Sequence, residues 1–424
     1  MTRRSGSIHQ VIDHAFSGDS VTNDALGIQA QLRDSRSHDS EIWALHAPGG
    51  PIGVCMRAVS EIRPGSPDDV IIVHARDPDS AVWTFLAGRP EQIVLRVHGW
   101  QLPDTRPLKT VTARLPRRGG IVSRCDVLPS LSEVLLRADI RPLSTLATSP
   151  FVAAIAGTAA TDRGIAVIPP FFPYDEFAAI GANRSDHLSS AETPSAERAS
   201  RPHASGPHAS GPRPTPARPT PARPTPARPR PSRRRAPRPD ELHGPRIMCI
   251  GRLDAHAEVE QLLSAVHLAA TNGLDGALLI LVGRSTNPGF EVALREFARD
   301  LRINVFFAGH CSQANLLDLM KSASMMVSPG RSSGFGVRFA EAMAAGVPVI
   351  GRAAGGVADT VGQGGLLLDI SDDVEVLAEA IVAMASDQRL RRTLIALGRA
   401  RASELAPARS ATLLGAFFDA TFGR

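Results

Sequence analysis

With 424 residues and 43% apolar side chains, the chain is long enough for two or three domains with real cores. Its net charge of +5 is misleading, because residues 198 to 238 hold eleven arginines and no acid, and subtracting them leaves the rest near −6. That distribution argues against a specific nucleic-acid-binding fold, and no apolar run approaches the ~18–20 residues of a membrane span. The four cysteines, Cys55, Cys125, Cys249 and Cys311, lie far apart without metal-ligand or CxxC spacing, so they read as core residues. The first residues carry two arginines but no apolar run of signal-peptide length. A cytoplasmic, reducing setting is expected.

Taken in order, the N-terminal part alternates strand and helix patterns. Strands are expected at 9–16, 41–46, 68–74, 91–99, 143–149 and 164–172, and helices at 23–32, 79–87, 131–137 and 150–156, the last starting at a Ser-Pro cap. The run at 68–74 is apolar throughout after two acids, as in strands buried on both faces. Such alternation argues a parallel, doubly wound sheet over a first domain, 1–180.

Residues 181–240 read as a disordered linker. H-A-S-G-P occurs twice and R-P-T-P-A three times in tandem (213–227). This composition cannot bury enough apolar surface to fold, and proline with like charge keeps it extended. A solvated spacer is one reading. The other is a weak electrostatic contact with anionic membrane, each arginine contributing ~1 kcal/mol near such a surface, which puts the protein at the inner face of the membrane.

The C-terminal domain, 241–424, repeats the alternation more clearly. Strands are expected at 246–251, 277–283, 303–309, 324–327, 347–351 and 365–369, with helices at 259–270, 291–301, 314–322, near 336 onward, and 374–384. Ligands of doubly wound sheets sit at the carboxyl ends of the strands, so two such sheets facing each other enclose a cleft. The densest signal is V-S-P-G-R-S-S-G-F-G-V-R-F-A-E-A-M-A-A-G (327–346). Gly334 and Gly336 let backbone N–H groups approach a ligand, and the first turn of the following helix offers unpaired donors to an anion such as phosphate. Glu341 adds a carboxylate on that helix, suited to the ribose of a nucleotide.

The motifs C-I-G-R-L-D (249–254), L-I-L-V-G (279–283), V-F-F-A-G-H-C-S (305–312), L-L-D-L-M-K-S-A-S-M-M-V-S-P (316–329), S-G-F-G-V-R-F-A-E-A-M-A-A-G-V-P-V-I (333–350) and A-A-G-G-V-A-D-T-V-G-Q-G-G-L-L-L (353–368) follow one another over some 150 residues. In that order and spacing they resemble the nucleotide-binding half of retaining GT-B glycosyltransferases of family 4 type. In the first domain, residues 18–33, I-V-L-R-V-H-G (93–99) and A-V-I-P-P-F (166–171) are similar to landmarks of the same family. The resemblance implies transfer of a sugar from a nucleotide-diphosphate donor to an acceptor hydroxyl with retention of configuration. The acceptor would be an unknown glycan, lipid-linked or small-molecule hydroxyl, as in surface polysaccharide or glycolipid synthesis. It implies no cofactor and no metal, since basic side chains and a helix N-terminus meet the diphosphate charge.

By position, the resemblance puts Arg252 on the diphosphate and makes Gly334, Phe335, Gly336 and Val337 the helix N-terminus. It puts Glu341 on the ribose, Gly18, Asp19 and Ser20 beside the donor phosphates from the other domain, and His98 near the reacting bond. His98 and Ser333 are the catalytic positions. His74 occupies a similar strand end without motif support and reads as structural. An ordinary turn with an N-cap is the other reading of 18–20.

Two residues depart from the family pattern. Ser333 stands where the family has the first of two glutamates, and Ala257 where it has a lysine that contacts the leaving group. Losing one charge-assisted contact costs ~2–4 kcal/mol in a transition state. Arg331 or Arg338 could replace the missing cation. Two other readings therefore stand beside the enzyme: a catalytically degenerate GT-B protein serving as a nucleotide-binding or scaffolding partner, and a GT-B sugar-nucleotide epimerase, whose motifs do not match 305–350.

Overall fold

The computed structural model describes residues 7–15, 19–36, 38–46, 56–59, 62–75, 80–98, 130–156, 164–190, 244–253, 257–285, 288–330 and 334–422. Gly18, Arg331, Ser333 and the Arg/Pro-rich stretch lie outside the described residues.

The first lobe is built on β1 (Ile8–His14), β2 (Ile42–His46), β3 (Met56–Ala58), β4 (Val70–Ala75), β5 (Gln92–Val97), β6 (Ser144–Ala147) and β7 (Ile165–Val167), in the spatial order β3-β2-β1-β4-β5-β6-β7 and parallel throughout. Its helices are α1 (Ser20–Arg36), α2 (Val82–Leu86), α3 (Leu131–Arg137) and α4 (Pro150–Ala156). Every residue of β4 is buried, because helices cover both faces. Ser130 and Glu133 form a reciprocal capping box that starts α3. The Ser149 hydroxyl accepts from the Val152 N–H at 3.2 Å and so starts α4.

The second lobe holds β8 (Arg246–Ile250), β9 (Leu278–Val282), β10 (Asn304–Gly309), β11 (Met325–Ser328), β12 (Val349–Arg352) and β13 (Leu366–Leu368), ordered β10-β9-β8-β11-β12-β13 and again parallel. Between or after them run α6 (Val259–Thr271), α7 (Pro288–Asp300), α8 (Gln313–Ser322), α9 (Val337–Ala344), α10 (Val357–Val361), α11 (Val374–Ser386), α12 (Gln388–Glu404) and α13 (Pro407–Phe422). In each sheet the direction of winding reverses once, between β1 and β4 and between β8 and β11, and ligands of doubly wound sheets bind at such points.

Two helices cross between the lobes, and both change the expected domain limits. The expected boundary at 180/181 falls inside α5 (Tyr174–Ser190). Phe177 and Ile180 of this helix pack with Met320, Met343 and Ala344 of the second lobe. Gly181 sits where a Cβ would come 2.6 Å from the Ala344 carbonyl oxygen, so only glycine allows this approach. The Arg184 guanidinium donates to the carbonyls of Lys321 at 2.8 Å and Ala323 at 2.9 Å at the end of α8. In the other direction, α13 returns to the first lobe, where Leu414, Phe417 and Phe418 join Ile28, Leu32 and Phe171 in one core. Residues 407–422 therefore belong in packing to the first lobe, although they follow the second in sequence. Among the described residues no helix is long and apolar enough to cross a membrane.

Candidate functional site

Glycine geometry shapes the carboxyl end of the second sheet. Gly336 has φ +81° and directly precedes α9, so the chain turns into the helix without a side-chain cap. Gly356 packs against this turn, and a Cβ there would meet the Gly334 carbonyl oxygen at 2.0 Å and the Ser149 hydroxyl at 2.7 Å. The Thr360 hydroxyl donates to the Phe335 carbonyl and ties the turn down. Phe335 and Val337 are buried, while Gly334 and Gly336 are half-buried. Arg252 is exposed just beyond β8, beside the winding reversal.

Glu341 is fully buried on α9. Its Oε2 accepts from Arg338 Nη1 at 2.7 Å, and its Oε1 has no hydrogen-bond partner. Burial pushes its pKa up; the Arg338 charge opposes this without cancelling it, and Asp19 and Glu176 add to the rise. A buried acceptor without a partner is costly and marks a place where a ligand donor fits. The same ion pair occupies Arg338, one of the two arginines expected to stand in for the missing lysine.

Across from it, the carboxyl ends of β4 and β5, with Gln10 of β1 and Asp24 of α1, hold a buried polar cluster. Arg96 takes both oxygens of Asp24, Nε to Oδ2 at 2.8 Å and Nη2 to Oδ1 at 3.1 Å, and also donates to the carbonyls of Ile168 and Pro169. The Phe171 N–H donates to Asp24 Oδ1 at 2.7 Å. Burial alone would raise the Asp24 carboxyl, but Arg96, His98 and the hydrogen bonds outweigh it and hold its pKa below the usual range.

The Gln10 amide nitrogen donates to the Ala25 carbonyl, so its oxygen faces His74 Nε2 at 3.0 Å and accepts from it. His74 Nδ1 must then accept, and the group 2.8 Å away is His98 Nε2. The network thus fixes His98 with its Nε2 proton pointing inward, 3.5 Å from Asp24 Oδ2. His74 stays neutral, because burial lowers its pKa to about 4 against the opposing pull of Asp24.

Asp19 caps α1, its Oδ2 accepting from the N–H groups of Val21 at 3.0 Å and Thr22 at 3.1 Å. The carboxylate is thus engaged as the cap of its own helix. Asp19 nevertheless acts electrostatically on both Glu341 and His74, so the start of α1 lies between the two clusters. Ser20 is the first residue of α1. The structure therefore brings Asp19, His98, Glu341 and the 334–337 turn to one cleft. Sequence reasoning did not find Asp24, Arg96 or Gln10. A charge inside the otherwise apolar strand I-V-L-R-V (93–97) was the available signal for Arg96.

Two doubly wound lobes facing across a cleft, with helices that cross in both directions, define the GT-B architecture. Solved structures share it over nearly the whole chain. The Anabaena protein HepE, in complex with UDP and glucose, superposes with a TM-score of 0.64 at 13% identity, covering 98% of this chain and 100% of that one. WaaG, a glycosyltransferase involved in lipopolysaccharide biosynthesis, gives 0.59 at 14% identity, with 98% and 100% coverage. Residues 234–401 match the family glycosyl transferases group 1. One relative is the GDP-mannose-dependent monoacylated alpha-(1-6)-phosphatidylinositol monomannoside mannosyltransferase of Corynebacterium glutamicum, 31% identical over 163 residues. That alignment covers 37% of this chain and 42% of the relative. Another is the N-acetyl-alpha-D-glucosaminyl L-malate synthase of Bacillus anthracis, 33% identical over 122 residues, covering 28% and 30%.

Proposed function

We propose that the chain transfers a sugar from a nucleoside-diphosphate donor to an acceptor hydroxyl with retention of anomeric configuration. The observation that carries this reading is the unpartnered Oε1 of buried Glu341 beside the glycine turn that opens α9. Ribose hydroxyls would satisfy that oxygen. The diphosphate would lie on the N–H groups of the turn and against Arg252, which stabilise the charge that grows on the leaving group. This arrangement routes no part of the diphosphate charge through a metal. The donor sugar would then extend toward the first lobe, where His98 meets it in one fixed tautomer. Relatives named for GDP-mannose and structural neighbours holding UDP support a nucleotide donor, and its base stays open between them.

Titration calorimetry of the full chain with GDP, UDP and ADP tests this directly. Micromolar-to-millimolar binding of one of the three is expected, followed by transfer or slow hydrolysis of the matching nucleotide sugar. Absence of binding to all three at millimolar concentration overturns the reading. The degenerate-partner reading draws on Ala257 and on the engagement of Arg338 by Glu341, which together leave the leaving group short of one cation. It predicts nucleotide binding without turnover, unrestored by Ala257→Lys combined with Ser333→Glu.

A further inference from the structure

A second cluster of ligating side chains lies one strand away from the donor cleft, on the far side of β1. His14 and His46 are register partners at the carboxyl ends of β1 and β2. Their rings stack with centroids 4.7 Å apart and planes 14° from parallel. Asp13 is shared between them, with Oδ2 at 3.3 Å from His14 Nδ1 and Oδ1 at 3.6 Å from His46 Nδ1. The three ligating atoms all lie within 4.8 Å of one another.

We propose that Asp13, His14 and His46 bind one divalent transition-metal ion. Bonds of ~2.0–2.2 Å from zinc to imidazole nitrogen and carboxylate oxygen put ligand atoms about 3.4 Å apart in a tetrahedral site. Each imidazole nitrogen already meets that within a few tenths of an ångström from one oxygen of Asp13, His14 from Oδ2 and His46 from Oδ1. The remaining separations, all within 4.8 Å, close by rotating the half-exposed imidazoles. Two imidazoles and one carboxylate select zinc, cobalt, nickel or copper over magnesium or calcium, which prefer oxygen alone. Three protein ligands leave a fourth position for water or an oxygen ligand.

The other set of like residues, Asp24, His74 and His98, does not suit an ion. Arg96 already fills both oxygens of Asp24, and a cation there would face a buried guanidinium. At Asp13 the facing groups are the two neutral-capable imidazoles themselves. Each imidazole binds through Nδ1 as its neutral Nε2–H tautomer, reached by proton exchange with solvent without net loss, and no redox step is involved.

The test uses the metal-free full chain, titrated with Zn²⁺ by calorimetry and with Co²⁺ by visible absorption. One equivalent should bind, and Co²⁺ should give the d–d bands of low-coordinate nitrogen/oxygen ligation without thiolate charge transfer. His14→Ala and His46→Ala should each weaken binding at least about tenfold, with unchanged circular dichroism. The double variant His203→Ala/His208→Ala, which removes two linker histidines, should leave it unchanged. Loss of binding in the linker variant, equal affinity in His46→Ala, or no stoichiometric binding overturns the proposal. Because no nucleotide is present, neither outcome bears on the donor site.

Discussion

The two faces of the cleft solve opposite problems. On the first lobe, charge is closed on itself: Asp24, Arg96, His74, Gln10 and three backbone carbonyls form one hydrogen-bonded network, and His98 is the member nearest the cleft. On the second lobe, a backbone turn carries no side-chain cap and a half-satisfied carboxylate leaves an acceptor open. The first arrangement stabilises a geometry, and the second leaves free energy to be gained on binding. A cleft that grips a nucleotide on one side and presents a fixed imidazole on the other needs both.

The largest effect should follow from breaking the closed side. Asp24→Ala strands Arg96 in the core, and removing one partner of a buried pair costs about 3–5 kcal/mol. Urea unfolding followed by circular dichroism reads this, and a loss below about 1 kcal/mol would mean that the pair is not closed as described. The second effect is on pH. His74 has a folded pKa near 4 against an ordinary value of 6.5, so the unfolded chain takes up that proton first. Its share of stability is therefore complete above pH 6.5 and is lost as pH falls toward 4, about 3 kcal/mol in all. Glu341 works with the opposite sign: its raised pKa means that stability declines as pH rises through the carboxylate range. His74→Gln should flatten the loss between pH 6.5 and 4, which thermal unfolding across that window would show.

The open side should respond in affinity rather than stability. Glu341→Gln keeps the shape, removes a buried charge, and halves the acceptor capacity that faces the ligand. Nucleoside diphosphate binding should fall about tenfold to a hundredfold, from a charged hydrogen bond of about 1.5–3 kcal/mol. Unfolding free energy should not drop, since the unpartnered carboxylate was itself a cost. A variant that binds normally would detach Glu341 from the ribose.

The contrast also explains what the sequence disclosed. Local patterns placed nearly all the strands, because parallel strands buried on both faces are almost wholly apolar, as Leu278–Val282 is and as Val70–Ala75 is apart from His74. The 334–337 turn was legible for the same reason: its glycines act through their own backbone. Helix α5 escaped notice because Tyr174–Ser190 has weak amphipathy and runs into residues taken for linker. Its packing is decided by Phe177, Ile180 and Gly181 against the other lobe. The first lobe's polar cluster was hidden more deeply. Asp24 and Arg96 are 72 positions apart, and nothing in either neighbourhood names the other. Register alone joins His74 to its neighbours: it pairs with Arg96 on β5, and His98 follows two residues on.

The smallest effect should come from a contact between the two faces. The Phe151 N–H, in the first turn of α4, donates to Asp359 Oδ2 at 3.2 Å from the second lobe, and Gly356 lies against the Ser149 hydroxyl in the same place. Asp359→Ala removes that acceptor while leaving the Asp359 carbonyl bonded to Arg401 at 2.5 Å, so α10 keeps its own anchor. A partly buried neutral donor that can turn to water costs less than about 1 kcal/mol, so global unfolding should barely move. Amide hydrogen exchange at Phe151 should still speed up, because local opening no longer breaks a bond between lobes. If the cleft closes on its donor by bringing these turns together, adding nucleoside diphosphate should restore much of the lost protection. Protection at Phe151 that ignores both the substitution and the nucleotide would show that this contact takes no part in holding the two faces to each other.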